Sequence, residues 1–304
     1  MKTKKIIRIL FLVLVTTAVL FSCAHAGTFA QIGAAIGQAT GVLSPQVADA
    51  IARSGVAWGQ AFEEITPEQE YFIGRAVAAH ILTTYRIQTN RPAMLDYVNR
   101  ICMALVINSP RPEIFNGYRV NILDTDEINA FATPGGHIFL SRGLIESAAS
   151  EDALAAVIAH EIAHIQLQHG LKAIRNSRIT QALLVTGTSA ASVATDMDIA
   201  ELTSIFSESI NEIVTTLVTN GFSREQEFEA DATAMALMSL AGYDPPALIE
   251  MLRVLEVNQP RRAGGFNRTH PTPALRITNA QRTVGNYNVP DTRSFREARF
   301  SAVR

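Results

Sequence analysis

His160-Glu161-Ile162-Ala163-His164 constrains this chain more than any other five residues in it. The pentapeptide lies in an apolar stretch that opens with Ser150-Glu151-Asp152, which predicts a helix over 151–168 with Gly170 just past its end. On a helix, positions i and i+4 share a face about one turn apart, so both imidazoles reach one metal ion. Glu161 projects beside that face, within reach of water on such a metal. Chance supplies the pattern about 0.01 times in a chain of this composition. A solvated helix with two incidental histidines is therefore the weaker reading.

A catalytic zinc site takes three protein ligands and keeps one position open. His169 is a poor third ligand. It lies about 140° around the helix from His164 at ~100° per residue, and reads as a helix-end cation. The stretch from Ser223 to Asp231 offers a better one. Glu227 and Asp231 form another i, i+4 pair, beside an apolar stripe of Ala230, Ala234, Leu237 and Ala241. Two acids on the core side of a helix are costly unless they bind metal or meet hydrogen-bond donors. Glu227 as a ligand, with Asp231 orienting a bound imidazole from behind, answers both costs. Spacing alone leaves a salt-bridged surface helix open, and Glu225 and Glu229 read as such surface acids. His270 and Arg276 sit in Thr269-His270-Pro271-Thr272-Pro273-Ala274-Leu275-Arg276, which by itself is only a proline-stiffened loop.

The N-terminus reads as an export signal. Lys2, Lys4, Lys5 and Arg8 precede an apolar run over residues 9–21. Thirteen helical residues cover roughly 20 Å, short of the ~30 Å hydrocarbon core, so the run is a signal rather than a span. Two cleavage readings stay open. Leu20-Phe21-Ser22-Cys23 is similar to a lipobox, which would leave a lipidated Cys23, whereas Ala24-His25-Ala26 suits ordinary signal peptidase. Without the four bases of residues 1–22, 22 bases face 28 acids. An acidic chain of this kind lacks the basic surface that nucleic acid needs, so no nucleic-acid partner is expected. Apart from Cys23 the chain holds only Cys102, in an apolar stretch that predicts a buried, inert thiol.

Elsewhere the chain reads as α+β and mostly helical, with a small β-sheet. Residues 23–61 form a Gly- and Ala-rich arm or short helices. Thr66-Pro67-Glu68-Gln69 starts a helix to about Tyr85, and Arg91-Pro92 starts another to about Ile107. Residues 118–124 and 137–141 read as strands flanking the turn Thr133-Pro134-Gly135-Gly136. Further helices are expected over 199–219, 223–241 and from Asp244 to about Val257. Residues 179–195 lack charge but are too rich in Gly, Ser and Thr for a good membrane span. The polar tail after Ile277 predicts partial disorder.

Five motifs in order give the chain a resemblance. They are TPEQEYFIGR at 66–75, NAFATPGGHIFLSRGLI at 129–145, HEIAH at 160–164, SREQEFEAD at 223–231 and HPTPALR at 270–276. With them the chain resembles the HtpX/BepA-like bacterial zinc metallopeptidases, relatives of the CAAX prenyl proteases, over roughly residues 62–280. The resemblance implies a zincin-like domain over 62–280 whose sheet edge borders an active-site cleft, after a signal peptide (1–22) and an arm (23–61), and before a tail (281–304). It implies one Zn2+ per chain on His160, His164 and Glu227, with Asp231 behind them and Glu161 as general base. His270 would steady the transition state or cap the metal in a latent state, and Arg276 would support it. Gly136, His137, Ile138 and Phe139 would lie on the edge strand that pairs with substrate.

The implied activity is endopeptidase cleavage of unfolded or misfolded cell-envelope proteins. The alternative is a chaperone-like protein that holds outer-membrane proteins over a latent zinc site. The absence of convincing spans points to the soluble exported branch, and no long C-terminal repeat domain for partner docking is expected. The expected location is periplasmic, anchored to the outer membrane through lipid on Cys23, with a soluble periplasmic or secreted form as the lesser alternative.

Overall fold

The computed structural model describes residues 26–62 except 42, 64–176 except 173, 211–258 except 212, residue 270, and 272–304 except 286 and 288. The expected signal peptide, Cys23, residues 179–195 and most of the helix expected over 199–219 lie outside the described residues. Two units divide the chain: Met1–Ile65 with Lys172–Ser209, and Thr66–Leu171 with Ile210–Arg304. In the first, the expected arm holds two helices, α1 (Ala26–Ala39) and α2 (Pro45–Phe62), which pack on each other. Ala30, Ala34 and Ala48 are buried there, small residues that allow close approach.

The second unit is organised around one buried helix. It contains α3 (Pro67–Thr84), α4 (Pro92–Val106), β1 (Arg119–Leu123), β2 (Ala130–Ala132), β3 (His137–Ser141) and α5 (Arg142–Ser147). These are followed by α6 (Glu151–Gln166), α7 (Arg224–Leu240), α8 (Ala247–Asn258), α9 (Pro273–Thr283) and α10 (Arg293–Val303). Every residue of α6 from Glu151 to Ile165 is buried. A helix enclosed on all sides must be apolar all round, and its alternation of Ala with Leu, Val and Ile meets that demand. Helices α4, α7 and α8 and strand β2 pack against it. Ser150 caps α6 by accepting from the Ala153 amide at 3.1 Å.

The sheet has the order β1-β3-β2, with β1 parallel and β2 antiparallel to β3. This corrects one expectation. Gly136–Phe139 are not on an edge: from His137 on the segment forms the middle strand, paired with β1 on one side, and β2 pairs with residues 138–140 on the other. The outer strands are β1 and β2, and β2 is three residues, two of them alanine, too short for an alternating pattern to announce. Its ladder bonds fall on alternate residues. Thr133 donates to the His137 carbonyl (2.9 Å) and Ser141 to the Asn129 carbonyl (3.0 Å). Residues 129, 131 and 133 therefore face β3, and the peptide groups of Ala130 and Ala132 point the other way.

The turn between β2 and β3 explains why α3 and the TPGG run occur together. Glu70, buried on α3, accepts from the Gly135 amide at 3.3 Å and from Arg111 at 3.0 Å. A Cβ at Gly74 would lie 1.6 Å from the Pro134 carbonyl oxygen, so at this point α3 and the turn meet backbone to backbone. Gly135 has φ +72°, and a Cβ there would meet the Tyr71 Cα at 2.5 Å.

Two helix ends differ from expectation. Helix α6 stops at Gln166, and Gln168, at φ +55°, takes the left-handed position expected of a glycine. Gly170 instead packs on Pro134. The tail is ordered as α10, in place of the expected disorder. Arg296 donates to Asp152 (2.9 Å) and the Gly242 carbonyl (3.1 Å), Arg299 pairs with Glu151, and Phe300 is buried. Acids that read as complements to the α6 dipole thus also anchor the C-terminal helix.

Candidate active site

Helix α6 carries His160 and His164 one turn apart, and their Nε2 atoms lie 3.0 Å from each other. Helix α7 enters beside it. Its capping box, Ser223 with Gln226, fixes where the helix begins and so where Glu227 falls, one turn in. Glu227 lies 3.5 Å from the Nε2 of each histidine. His270 joins from before α9, its Nδ1 2.8 Å from Glu227 Oε1. One ligand atom from each of His160, His164, Glu227 and His270 lies within 4.8 Å of the other three, and all four residues are buried. The structure thus brings together both stretches that the sequence singled out, and adds the His270 loop to them.

The groups behind these side chains fix their orientation. Asp231, one turn after Glu227, accepts from His160 Nδ1 at 3.0 Å. Arg276, buried on α9, clamps the same carboxylate through Nε (2.9 Å) and Nη2 (2.6 Å). Arg276 also lies 3.4 Å from Glu227 Oε2. Its partners outweigh the cost of burial, so its guanidinium is held charged, above even its ordinary range. In Asp231 burial pushes the pKa up, but Arg276 and His160 overcome it and hold the carboxylate below its usual value. Burial likewise opposes the ionised form of Glu227, and the charges of His270 and Arg276 prevail and hold it well below the ordinary range. Both α7 acids are thus anionic in a dry site.

The donor set fits a divalent cation. An ionised Asp231 requires the proton of His160 to sit on Nδ1, which leaves the Nε2 lone pair free. Burial, then the neighbouring His160, push His164 well below its ordinary pKa, so its imidazole is neutral. Two imidazole nitrogens 3.0 Å apart, with an anionic carboxylate 3.5 Å from each, form an electron-rich pocket. Among the described residues Glu227 Oε2 makes no hydrogen bond there, with the Arg276 ion pair at 3.4 Å beside it. A cation resolves the repulsion; without one a proton must. Burial and Arg276 lower the His160 pKa, yet its bonds to Asp231 and Glu227 win and raise it to about 9. His160, His164 and Glu227 would hold the metal, with His270 in reach as a fourth donor.

Glu161 lies beside this set, and its Oε1 is buried with no hydrogen-bond partner among the described residues. Burial pushes its pKa up. A carboxyl whose proton is held more tightly than usual, next to a cation pocket, is placed to move a proton. A small cleft is lined by Ala132, Thr133, Pro134, His164 and Phe222, so the end of β2 and one of the two histidines share its wall. Gly136, His137, Ile138 and Phe139 are absent from that lining.

Sequence reasoning missed several parts. His169, expected as a helix-end cation, is fully buried, with Nδ1 2.9 Å from His164 Nδ1. The reversal at Gln168 swings it back from the position a straight helix would give. Its Nε2 lies 3.2 Å from Glu229, so that residue is not merely a surface acid. Phe222 stacks on the His164 ring at 4.1 Å and 17°. The positive φ at a non-glycine and the single Phe beside a cap leave no trace in a sequence pattern.

An HExxH pair on a buried helix, a converging glutamate and a neighbouring buried carboxyl are the parts of which a metallopeptidase site is built. The chain belongs to peptidase family M48, whose family model matches residues 93–284. It is 28% identical over 198 residues to the beta-barrel assembly-enhancing protease of Escherichia coli O157:H7, covering 63% of this chain and 39% of that protein. It is 30% identical over 184 residues to the mitochondrial metalloendopeptidase OMA1 of Schizosaccharomyces pombe (60% and 50%), and 28% identical over 190 residues to the metalloprotease LoiP of Escherichia coli K12 (62% and 71%). The chain therefore spans about two fifths of the beta-barrel assembly-enhancing protease that it matches.

Proposed function

We propose that this chain is a zinc-dependent endopeptidase that cleaves unfolded or misfolded polypeptides of the cell envelope. The observation that carries this reading is the pair of imidazole nitrogens 3.0 Å apart, facing Glu227 and flanked by the unpartnered carboxyl oxygen of Glu161. His160, His164 and Glu227 hold one Zn2+, and Asp231 and Arg276 keep His160 in its ligand form. A bound zinc ion supplies Lewis acidity, which acidifies water and polarises a carbonyl. Glu161 takes a proton from the attacking water and returns it to the leaving amine as the peptide bond breaks. His270 donates to the oxygen that gains charge.

Substrate binding falls to β2 rather than to Gly136–Phe139. An extended chain laid beside β2 pairs with the outward Ala132 amide and the outward carbonyls, the Ala130 amide being taken by Asn129 Oδ1 at 2.9 Å, and such pairing recognises main chain and disregards side chains. Such a site selects polypeptides already unfolded. The apolar run before Cys23, the relatives' names and the acidic composition support an exported protein, lipid-anchored at the outer membrane through Cys23, with no nucleic-acid partner. No helix among the described residues is long and apolar enough to cross a membrane.

A second reading has its own observation. His270 stands within ligand distance of the other three donors, which suits a closed, latent site in a protein that holds β-barrel precursors. Glu161→Gln separates the two: it keeps the pocket and removes the proton carrier. Casein cleavage lost by at least ~100-fold supports the peptidase. Undiminished cleavage would reject the role of Glu161, and envelope function retained without cleavage would favour holding.

A further inference from the structure

The two metal-facing imidazoles are held from behind in unequal ways. His160 donates directly to Asp231. Among the described residues no carboxylate meets His164 Nδ1; a second imidazole, His169, stands there at 2.9 Å. His169 in turn places Nε2 3.2 Å from Glu229 Oε2. The directions of these bonds are coupled. If Glu229 accepts, His169 carries its proton on Nε2, and its Nδ1 offers a lone pair. That lone pair accepts from His164 Nδ1–H, and the proton on Nδ1 leaves His164 Nε2 bare and aimed at the pocket. Phe222, stacked on the ring, blocks rotation out of this plane.

We infer that His169 and Glu229 are positioning residues that hold His164 in the metal-binding tautomer through a carboxylate–imidazole–imidazole relay. The inference rests on the metal-centre reading above. Helix α7 then supplies three acids of the centre: Glu227 toward the metal, Asp231 behind one histidine, and Glu229 behind the other through His169. It also gives the turn at Gln168 a purpose, since only a chain reversed there brings residue 169 under residue 164. Partners of this kind fix ring orientation and raise ligand basicity, and their loss typically weakens metal binding 10–100-fold.

The test is zinc affinity by chelator competition on the whole protein, comparing wild type with His169→Phe, Glu229→Ala and Glu229→Gln. His169→Phe should bind zinc about 10–100-fold more weakly. Glu229→Ala should lose several-fold, and Glu229→Gln should recover most of that, because an amide oxygen still accepts from His169. Thermal midpoints in chelator, measured without metal, should match wild type for both Glu229 variants, whose parent side chain is 49% exposed. Wild-type affinity in His169→Phe, or a Gln variant as weak as the Ala variant, overturns the relay. Should His169→Phe fail to fold, the Glu229 pair decides alone. A wild-type protein that binds no zinc overturns the metal centre itself, a result distinct from either.

Discussion

Gly74 shows how much a single missing side chain carries. With a Cβ only 1.6 Å from the Pro134 oxygen, Gly74→Ala must force α3 away from the turn, and a loss of about 2–4 kcal/mol is expected. Urea denaturation checks it, and an unchanged midpoint would contradict the backbone contact. Cys102 makes the opposite point, a residue whose chemistry the fold suppresses. It is fully buried, and burial pushes its thiol up to about 12. Its folded pKa exceeds the ordinary value, so the folded state is favoured while the thiol stays protonated, and that advantage declines as pH rises from about 9 toward 12. In a Cys23→Ser protein at pH 8, a thiol reagent should label Cys102 only after unfolding; labelling of the native protein at the rate of a free thiol would refute the burial. That His160, His164, Glu227 and Asp231 belong to one cluster was legible at this scale because they repeat one helical spacing. His169 was not, since its position depends on Gln168 adopting φ +55°, which side-chain chemistry does not announce.

Helices were the elements most open to prediction. Thr66 with Gln69 and Ser223 with Gln226 form the reciprocal caps that their spacing implies. Strand β2 escaped notice for want of length, and the middle position of β3 could not be read because pairing order is set by long-range packing. Its outward Ala132 amide gives a test: Ala132→Pro removes that donor without touching a bond to β3. Zinc content should stay at the wild-type level while casein cleavage falls at least ~10-fold through a higher KM. Unchanged KM would remove β2 from substrate binding. Helix α10 escaped for another reason. Arg296 and Arg299 look like solvated charges until Asp152 and Glu151 are placed opposite them. Arg296→Ala leaves Asp152 buried without this partner, and a loss of about 3–5 kcal/mol by urea denaturation is expected. A change below ~0.5 kcal/mol would show that α10 is not an anchor.

For the whole molecule, the fold amounts to enclosing α6 so that a charged centre is held out of water. The HPTPALR loop illustrates how that works at long range. Read alone it was a loop with a surface histidine, yet its arginine is buried against Asp231 and its histidine faces Glu227. Only the packing of α9 against α7 and α8 brings it there. The proposed function depends on side chains of α6 and α7, 67 residues apart from His160 to Glu227, holding one cation between them. Metal analysis of purified wild type and Glu227→Ala, after dialysis against a weak chelator, tests this most directly. One zinc per chain in the wild type and little in the variant is the expected result. A wild type without metal, or a variant that keeps a full equivalent, would contradict it.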